Sequence, residues 1–129
     1  MNETEVKQLI ADTVNATVSK MQAAGLLRDN RTTAIEKTEA LLRQYPALKG
    51  VDEPYAQRVV REIDACMEEI QNDPYADVIR LFYFGGLKNA ACADVLCCDE
   101  RTARRNRKQF VQQFSARLAS DEFIRDLLK

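Results

Sequence analysis

Histidine and tryptophan are both absent from the 129 residues of this chain. Without histidine the chain lacks the commonest general base and the commonest nitrogen ligand for metals. Ser-His and Cys-His nucleophile pairs are excluded as well. Serine, threonine and lysine stand in no recognisable nucleophile motif. We therefore expect a protein that is not an enzyme and that needs no cofactor.

Glycine and proline are scarce, with four and three copies. No segment alternates apolar and polar residues for long enough to indicate a strand, whereas apolar residues recur at intervals of three and four along most of the chain. The sequence therefore predicts an all-α fold, with a helical N-terminal region followed by a C-terminal helix-turn-helix bundle.

An excess of charge of either sign is also missing, because 19 Lys and Arg oppose 20 Asp and Glu for a formal net charge of −1. No global field therefore draws the molecule to nucleic acid or to an anionic membrane, and any such attraction must be local. The first residues lack the pattern of a signal peptide, and no apolar run is long enough to span a bilayer. We expect a cytoplasmic protein with no membrane partner.

The four cysteines lie at positions 66, 92, 97 and 98. Their spacing contains no second CxxC pair, and without histidine they cannot complete a zinc tetrahedron. We expect reduced cysteines that act as small core residues and bind no metal.

Residues 1–50 form the predicted N-terminal helical region. A first helix is expected over 3–24, ended by Gly25, and a second over 33–44, with Pro46 just beyond its end. The first helix carries one apolar stripe, made of Val6, Ile10, Val14, Val18 and Met21. Two interpretations stay open: the stripe pairs between subunits of a homodimer, or it folds back onto its own domain.

Residues 51–129 form the predicted DNA-binding domain. We expect Asp52 to cap a helix over 54–71, and Asp73-Pro74 to start a short apolar helix that Gly85-Gly86 stops. The remaining predicted helices are 89–96, then 100–119 with Asp99 as its cap, and 121–128 with Ser120 as its cap.

Two groups of residues that could carry chemistry are interpreted as structural. The acidic run is expected to be a solvated helix face and comprises Glu62, Asp64, Glu68, Glu69 and Asp73. The aromatic residues are expected to pack in the core and are Phe82, Tyr83, Phe84, Phe110 and Phe114.

The basic residues of the chain cluster at one place. Residues 99–108 contain five bases and two acids, a local charge of +3, which leaves −4 on the rest. The cluster lies in the first turns of a long helix that follows a short helix and a tight turn. This arrangement is typical of a helix-turn-helix that presents guanidinium groups to the major groove.

Residues 78–118 resemble the helix-turn-helix of sigma-factor region four. In that family a Gly-Leu pair, an alanine in the first motif helix and a threonine followed by basic residues recur. Gly86-Leu87, Ala93, Leu96, Thr102 and Arg104 fall on those places. Upstream, the segment ALLRQYPALK at 40–49 resembles the leading helix of ArpU-type phage transcriptional regulators, which carry the same C-terminal module.

The resemblance implies double-stranded DNA and RNA polymerase as partners and assigns roles along the long helix. Asp99 would cap it, and Ala103, Phe110, Phe114 and Leu118 would pack inward. The DNA-facing residues would be Glu100, Arg101, Arg104, Arg105 and Lys108. Three residues depart from the family pattern: Cys97 replaces the usual glycine, Ala103 the usual valine, and Asn106 an arginine.

The leading hypothesis is a DNA-binding regulator of transcription encoded by a phage or prophage. Because one such module makes a small interface, two copies on adjacent half-sites are expected. The alternatives are a helical adaptor that docks its basic face on an acidic protein, and a phage DNA-packaging subunit built on the same motif.

Overall fold

The computed structural model describes residues 2–129, so Met1, the first residue of the predicted N-terminal region, lies outside it. All regular secondary structure in the described residues is helical, which confirms the all-α prediction. The elements are α1 Glu3–Arg28, α2 Ala34–Leu48, α3 Pro54–Glu69, α4 Asp77–Ile79 with its π-helical continuation Arg80–Phe84, α5 Asn89–Leu96, α6 Glu100–Leu118 and α7 Asp121–Leu127.

Side-chain caps set the beginnings of several helices. The Asp99 carboxylate accepts a hydrogen bond from the Thr102 backbone N–H at 2.6 Å, and the Ser120 hydroxyl accepts one from Phe123 at 3.1 Å. Each cap satisfies a backbone donor that has no partner inside the helix. The predicted caps of α6 and α7 are therefore confirmed, as are the bounds of α5.

The first two helices run further than the sequence predicts. Gly25 lies inside α1, which continues to Arg28 because Leu27 is buried against the rest of the domain. Pro46 lies inside α2, which continues to Leu48 for the same reason. Proline removes its own N–H from the helix and its ring crowds the carbonyl of Leu42, and the burial of Leu48 opposes that cost.

The predictions for α3 and the segment after it need three corrections. Glu53, and not Asp52, caps α3, since its carboxylate accepts from the Ala56 N–H at 3.0 Å. Asp52 accepts instead from the Gln57 side chain at 2.8 Å, and α3 ends at Glu69. The short apolar helix begins only at Asp77 and widens into a π-helix from Arg80 before Gly86, with φ of +71°, reverses the chain.

A single apolar core extends through the chain from α1 to α7. Leu41 and Leu42 of α2, Ile63 of α3 and Leu118 of α6 are completely buried in it. Helix α2 packs against α1, α3, the π-helical turn and α6. The predicted N-terminal region and the predicted DNA-binding domain thus share one core. Within residues 2–129, no helix combines the length and apolarity that crossing a membrane requires.

Helix α1 faces the core with small residues. Ala16, Ala23 and Leu27 are its buried residues, whereas the predicted apolar stripe lies in solvent, with Val14 54% exposed. The stripe therefore does not fold back onto its own domain. The sequence pattern identified the larger apolar residues correctly, but the alanines on another face are the ones that let α1 approach the body closely.

Candidate nucleic-acid interface

The turn between α5 and α6 is two residues long and depends on one unusual backbone conformation. Cys97 has φ of 55° and ψ of 43°, the left-handed region that normally favours glycine. The Cys98 N–H then donates to the Ala93 carbonyl at 3.1 Å, so the end of α5 closes as a Schellman-type cap. Cys97, which stands where the resembled family has glycine, therefore adopts the left-handed conformation itself.

Asp99 follows this turn and begins α6. Hydrogen bonding from Thr102 lowers the pKa of the Asp99 carboxyl below its usual value, and the nearby Arg105 and Arg101 act in the same direction. The cap is therefore an ionised carboxylate across the neutral pH range. It fixes the first turn of α6.

One face of α6 anchors it to the body. Ala103, Phe110, Phe114 and Leu118 are all buried, as predicted for the inward face. Helix α6 packs through this face against α2, α3 and α5. Because the small side chain of Ala103 faces the interior, the beginning of α6 is held close to the neighbouring helices.

The opposite face of α6 presents the predicted interface residues to solvent. All five of Glu100, Arg101, Arg104, Arg105 and Lys108 are exposed. Their spacing by three and four residues places them along one side of the helix. Glu100 and Arg104 are in direct contact, with 2.9 Å between the carboxylate Oε1 and the guanidinium Nη2. We call Arg101, Arg104, Arg105 and Lys108 the basic face.

Arg107 is the base of this cluster that does not belong to the basic face. It is 8% exposed, and its Nη1 donates to the Tyr83 hydroxyl at 3.0 Å. Its guanidinium carbon lies 4.0 Å from the centroid of the Phe82 ring. Position 107 lies four residues after Ala103 and three before Phe110, so its inward orientation follows from helical spacing. Because Arg107 is buried, the exposed side chains of residues 99–108 carry a net charge of +2, and not the +3 counted from the sequence.

The Tyr83 hydroxyl connects Arg107 to α2. It accepts from Arg107 and donates to the Glu39 carboxylate at 2.7 Å. Burial raises the pKa of Tyr83 to about 12, with the hydrogen bond to Glu39 acting in the same direction, so the phenol stays protonated and can donate. The network ties α2, the π-helical turn and α6 together beneath the basic face.

Three residues of the acidic run, Glu62, Asp64 and Glu69, form ion pairs or hydrogen bonds with neighbouring elements. Arg117 of α6 lies 3.4 Å from the Glu62 carboxylate and 2.9 Å from that of Glu69. Asp64 accepts a hydrogen bond from the Tyr45 hydroxyl at 2.6 Å. In the part of the chain that the structure describes, no group of three acidic or cysteine residues could hold a metal ion.

The cysteines divide into two kinds. Cys66 and Cys92 are buried core residues, as predicted. Cys98 is half-buried and packs against the core, whereas Cys97 is exposed, so the prediction of a core role was wrong for Cys97. Cys97 is the left-handed residue of the turn between α5 and α6, outside both helices.

Compared with known proteins, the chain matches no protein-family model, no curated protein and no solved structure. The resemblance to sigma-factor region four and to ArpU-type regulators therefore stays a prediction from the residues that suggested it.

Proposed function

We propose that this chain is a DNA-binding regulator of transcription that lays the first turns of α6 in the major groove of double-stranded DNA. The observation that carries the proposal is the basic face itself. Arg101, Arg104, Arg105 and Lys108 are exposed on consecutive turns of a helix whose other side is fixed in the core. A rigid helix with such a surface suits insertion into a groove about 12 Å wide.

The basic face offers two kinds of contact to DNA. Guanidinium groups can bind the O6 and N7 edge of guanine in a bidentate manner, and both arginine and lysine can neutralise phosphates. The Asp99 and Glu100 carboxylates already neutralise the positive end of the α6 dipole, so the attraction for phosphate comes from the basic face. Since the whole molecule carries a net charge of −1, this attraction is confined to one surface.

The resemblance named above supports a narrower version of the proposal. In that version the protein is a cytoplasmic regulator encoded by a phage or prophage, acts beside RNA polymerase and has no catalytic role. The adaptor and the packaging subunit are the competing assignments. An assay of binding to duplex DNA distinguishes the adaptor, which should not bind, from the regulator and the packaging subunit, which should bind.

The proposal is tested by measuring duplex binding over a range of salt concentrations by fluorescence anisotropy. The test variant combines Arg101→Ala and Arg105→Ala. The control combines Arg61→Ala and Arg125→Ala, which removes the same charge from exposed positions on α3 and α7. We expect the test variant to bind at least tenfold more weakly, with a salt slope reduced by about two, while the control binds like the parent.

Two outcomes would overturn the proposal. One is a parent protein that fails to bind any duplex at low salt, which would favour the adaptor. The other is an equal loss of binding in the test and control variants, which would show that net charge and not the basic face governs the interaction.

A further inference from the structure

A cavity of about 500 Å³ opens between the end of α2, helix α3 and the π-helical turn. Its apolar lining consists of Tyr45, Pro46, Met67 and Phe84. Small-molecule sites in proteins are mostly apolar concavities of about 300–1,000 Å³ that carry a few polar groups. The volume and lining of this cavity, which we call the aromatic cavity, therefore suit a small molecule.

Two stacked rings form part of the wall of the aromatic cavity. Tyr45 of α2 and Phe84 of the π-helical turn have their ring centroids 4.3 Å apart, with an angle of 18° between the ring planes. Tyr45 is almost completely buried, whereas Phe84 is half-buried and keeps part of its ring accessible. Aromatic rings pack favourably on one another in offset stacks. This wall therefore favours a ligand that contains a flat ring.

The π-helical turn brings a base to the same wall. The Gly85 N–H donates to the Arg80 carbonyl at 2.7 Å, and this five-residue step makes the turn wider than an α-helical one. Arg80 and Phe84 stand four residues apart, and both line the aromatic cavity. π-helical turns are rare and frequently lie at functional sites. Here the turn supplies one positive charge and one accessible aromatic ring to a single cavity.

The aromatic cavity is positively charged. Among the described residues, Lys49 and Arg80 line it and no acidic residue does. Both bases are exposed, and neither forms an ion pair within residues 2–129. Asp64, which accepts from the Tyr45 hydroxyl at 2.6 Å, lies outside the lining. The negative end of the α2 dipole is equivalent to only about half a charge, so the two full positive charges exceed it and attract an anion.

We propose that the aromatic cavity binds a small aromatic phosphate of the nucleoside monophosphate class. The base packs against Phe84, and the phosphate pairs with Lys49 and Arg80. A phosphate monoester carries a charge of about −1.5 to −2 near pH 7, which matches two bases, whereas a carboxylate leaves one of them unpaired. The described lining contains no residue of α6, so the proposal does not depend on the function proposed for the basic face.

The site is tested by titrating the isotope-labelled full chain with adenosine monophosphate (AMP), adenosine or ribose phosphate and recording amide NMR spectra. Adenosine lacks the phosphate, and ribose phosphate lacks the ring. We expect AMP to shift the amide signals of Lys49, Met67 and Gly85 saturably and to bind at least tenfold more tightly than either of the other probes. Absence of saturable shifts with AMP would overturn the proposal. Equal affinity for AMP and ribose phosphate would do so as well, because the surface would then recognise phosphate alone.

The role of the two bases is tested with a variant that combines Lys49→Ala and Arg80→Ala. Both side chains are exposed, so the fold should be retained, whereas affinity for AMP should fall at least tenfold and affinity for adenosine should not change. The control combines Arg61→Ala and Arg125→Ala, which removes the same charge from exposed positions outside the cavity, and it should bind AMP like the parent. Equal losses in the two variants would contradict the proposal.

Duplex DNA provides a competing explanation for the two bases, and the same spectra distinguish it. A short duplex should leave AMP in place and shift amide signals of α6 only. A duplex that displaces AMP from the amides of Lys49 and Gly85 would assign this surface to DNA phosphates and refute the small-molecule site.

Discussion

Arg107 of α6 donates a hydrogen bond of 3.0 Å to the hydroxyl of Tyr83 in the π-helical turn. This contact places a charged group, 8% exposed, directly beneath the basic face. Glu39 completes the network from α2, since its carboxylate accepts from Tyr83 and lies 3.8 Å from the Arg107 guanidinium. One base of the cluster thus maintains the position of the helix that presents the others.

We expect Arg107→Ala to destabilise the fold. The change removes a donor from the Tyr83 hydroxyl, a nearby positive charge from the half-buried Glu39 and the stacking on Phe82, so the free energy of unfolding should fall by about 2 kcal/mol. Arg105→Ala, at an exposed position on the same helix, should change it by less than about 0.5 kcal/mol. Urea denaturation measures both. Similar losses in the two variants would contradict the structural role of Arg107.

Glu100→Gln should strengthen binding to duplex DNA. The substitution removes a negative charge from the first turn of α6 and releases Arg104 from an ion pair of 2.9 Å, so more of the Arg104 charge is available to phosphate. Glu122→Gln makes the same change of net charge on an exposed first turn of α7 and serves as the control. Anisotropy at fixed salt should show a severalfold gain for Glu100→Gln alone. Weaker binding by this variant would mean that the carboxylate holds Arg104 in its binding geometry.

Cys97→Gly should stabilise the protein. Relief of the left-handed conformation is worth about 1–2 kcal/mol, and the greater freedom of glycine in the unfolded chain costs about 0.5–1 kcal/mol. The free energy of unfolding should therefore rise by about 0.5–1 kcal/mol. Cys98→Gly is the matched control, because Cys98 lies outside the positive-φ region and is half-buried, and it should lose stability. The opposite ranking in thermal or urea unfolding would contradict the backbone assignment.

The thiols should differ sharply in their reactivity. Burial raises the pKa of Cys66 to about 12 and also raises the pKa of Cys92, and both side chains are inaccessible to a reagent, so both should react slowly. Cys97 is exposed and should account for the fast phase with Ellman's reagent. Cys97→Ser should abolish that phase, and unfolding should release the buried thiols. Peptide mapping that finds Cys66 modified in the folded protein would contradict this assignment.

The helix caps and inward-facing positions of the C-terminal half of the chain could be predicted from the sequence, because they depend on residues within a few positions of one another. Asp99 and Ser120 are short polar side chains that satisfy the first N–H groups of α6 and α7, and such caps act within one turn. The inward spacing of Ala103, Phe110 and Phe114 likewise follows from helical geometry alone. Because those residues face inward, the residues of the basic face, which lie between them in sequence, face solvent.

Only the tertiary structure decided which apolar and charged faces have partners. Periodicity identifies the stripe of α1, yet the core accepts Ala16 and Ala23 because small residues allow close helix packing, and Val14 is left in solvent. Pro46 and Gly25 remain inside helices because burial of Leu48 and Leu27 outweighs a local preference to stop. Arg107 lies inside because Tyr83 and Glu39, distant in sequence, supply its hydrogen-bond and charge partners. Helix caps and helical periodicity depend on residues that are close in sequence, whereas burial depends on residues that are distant in sequence but close in space.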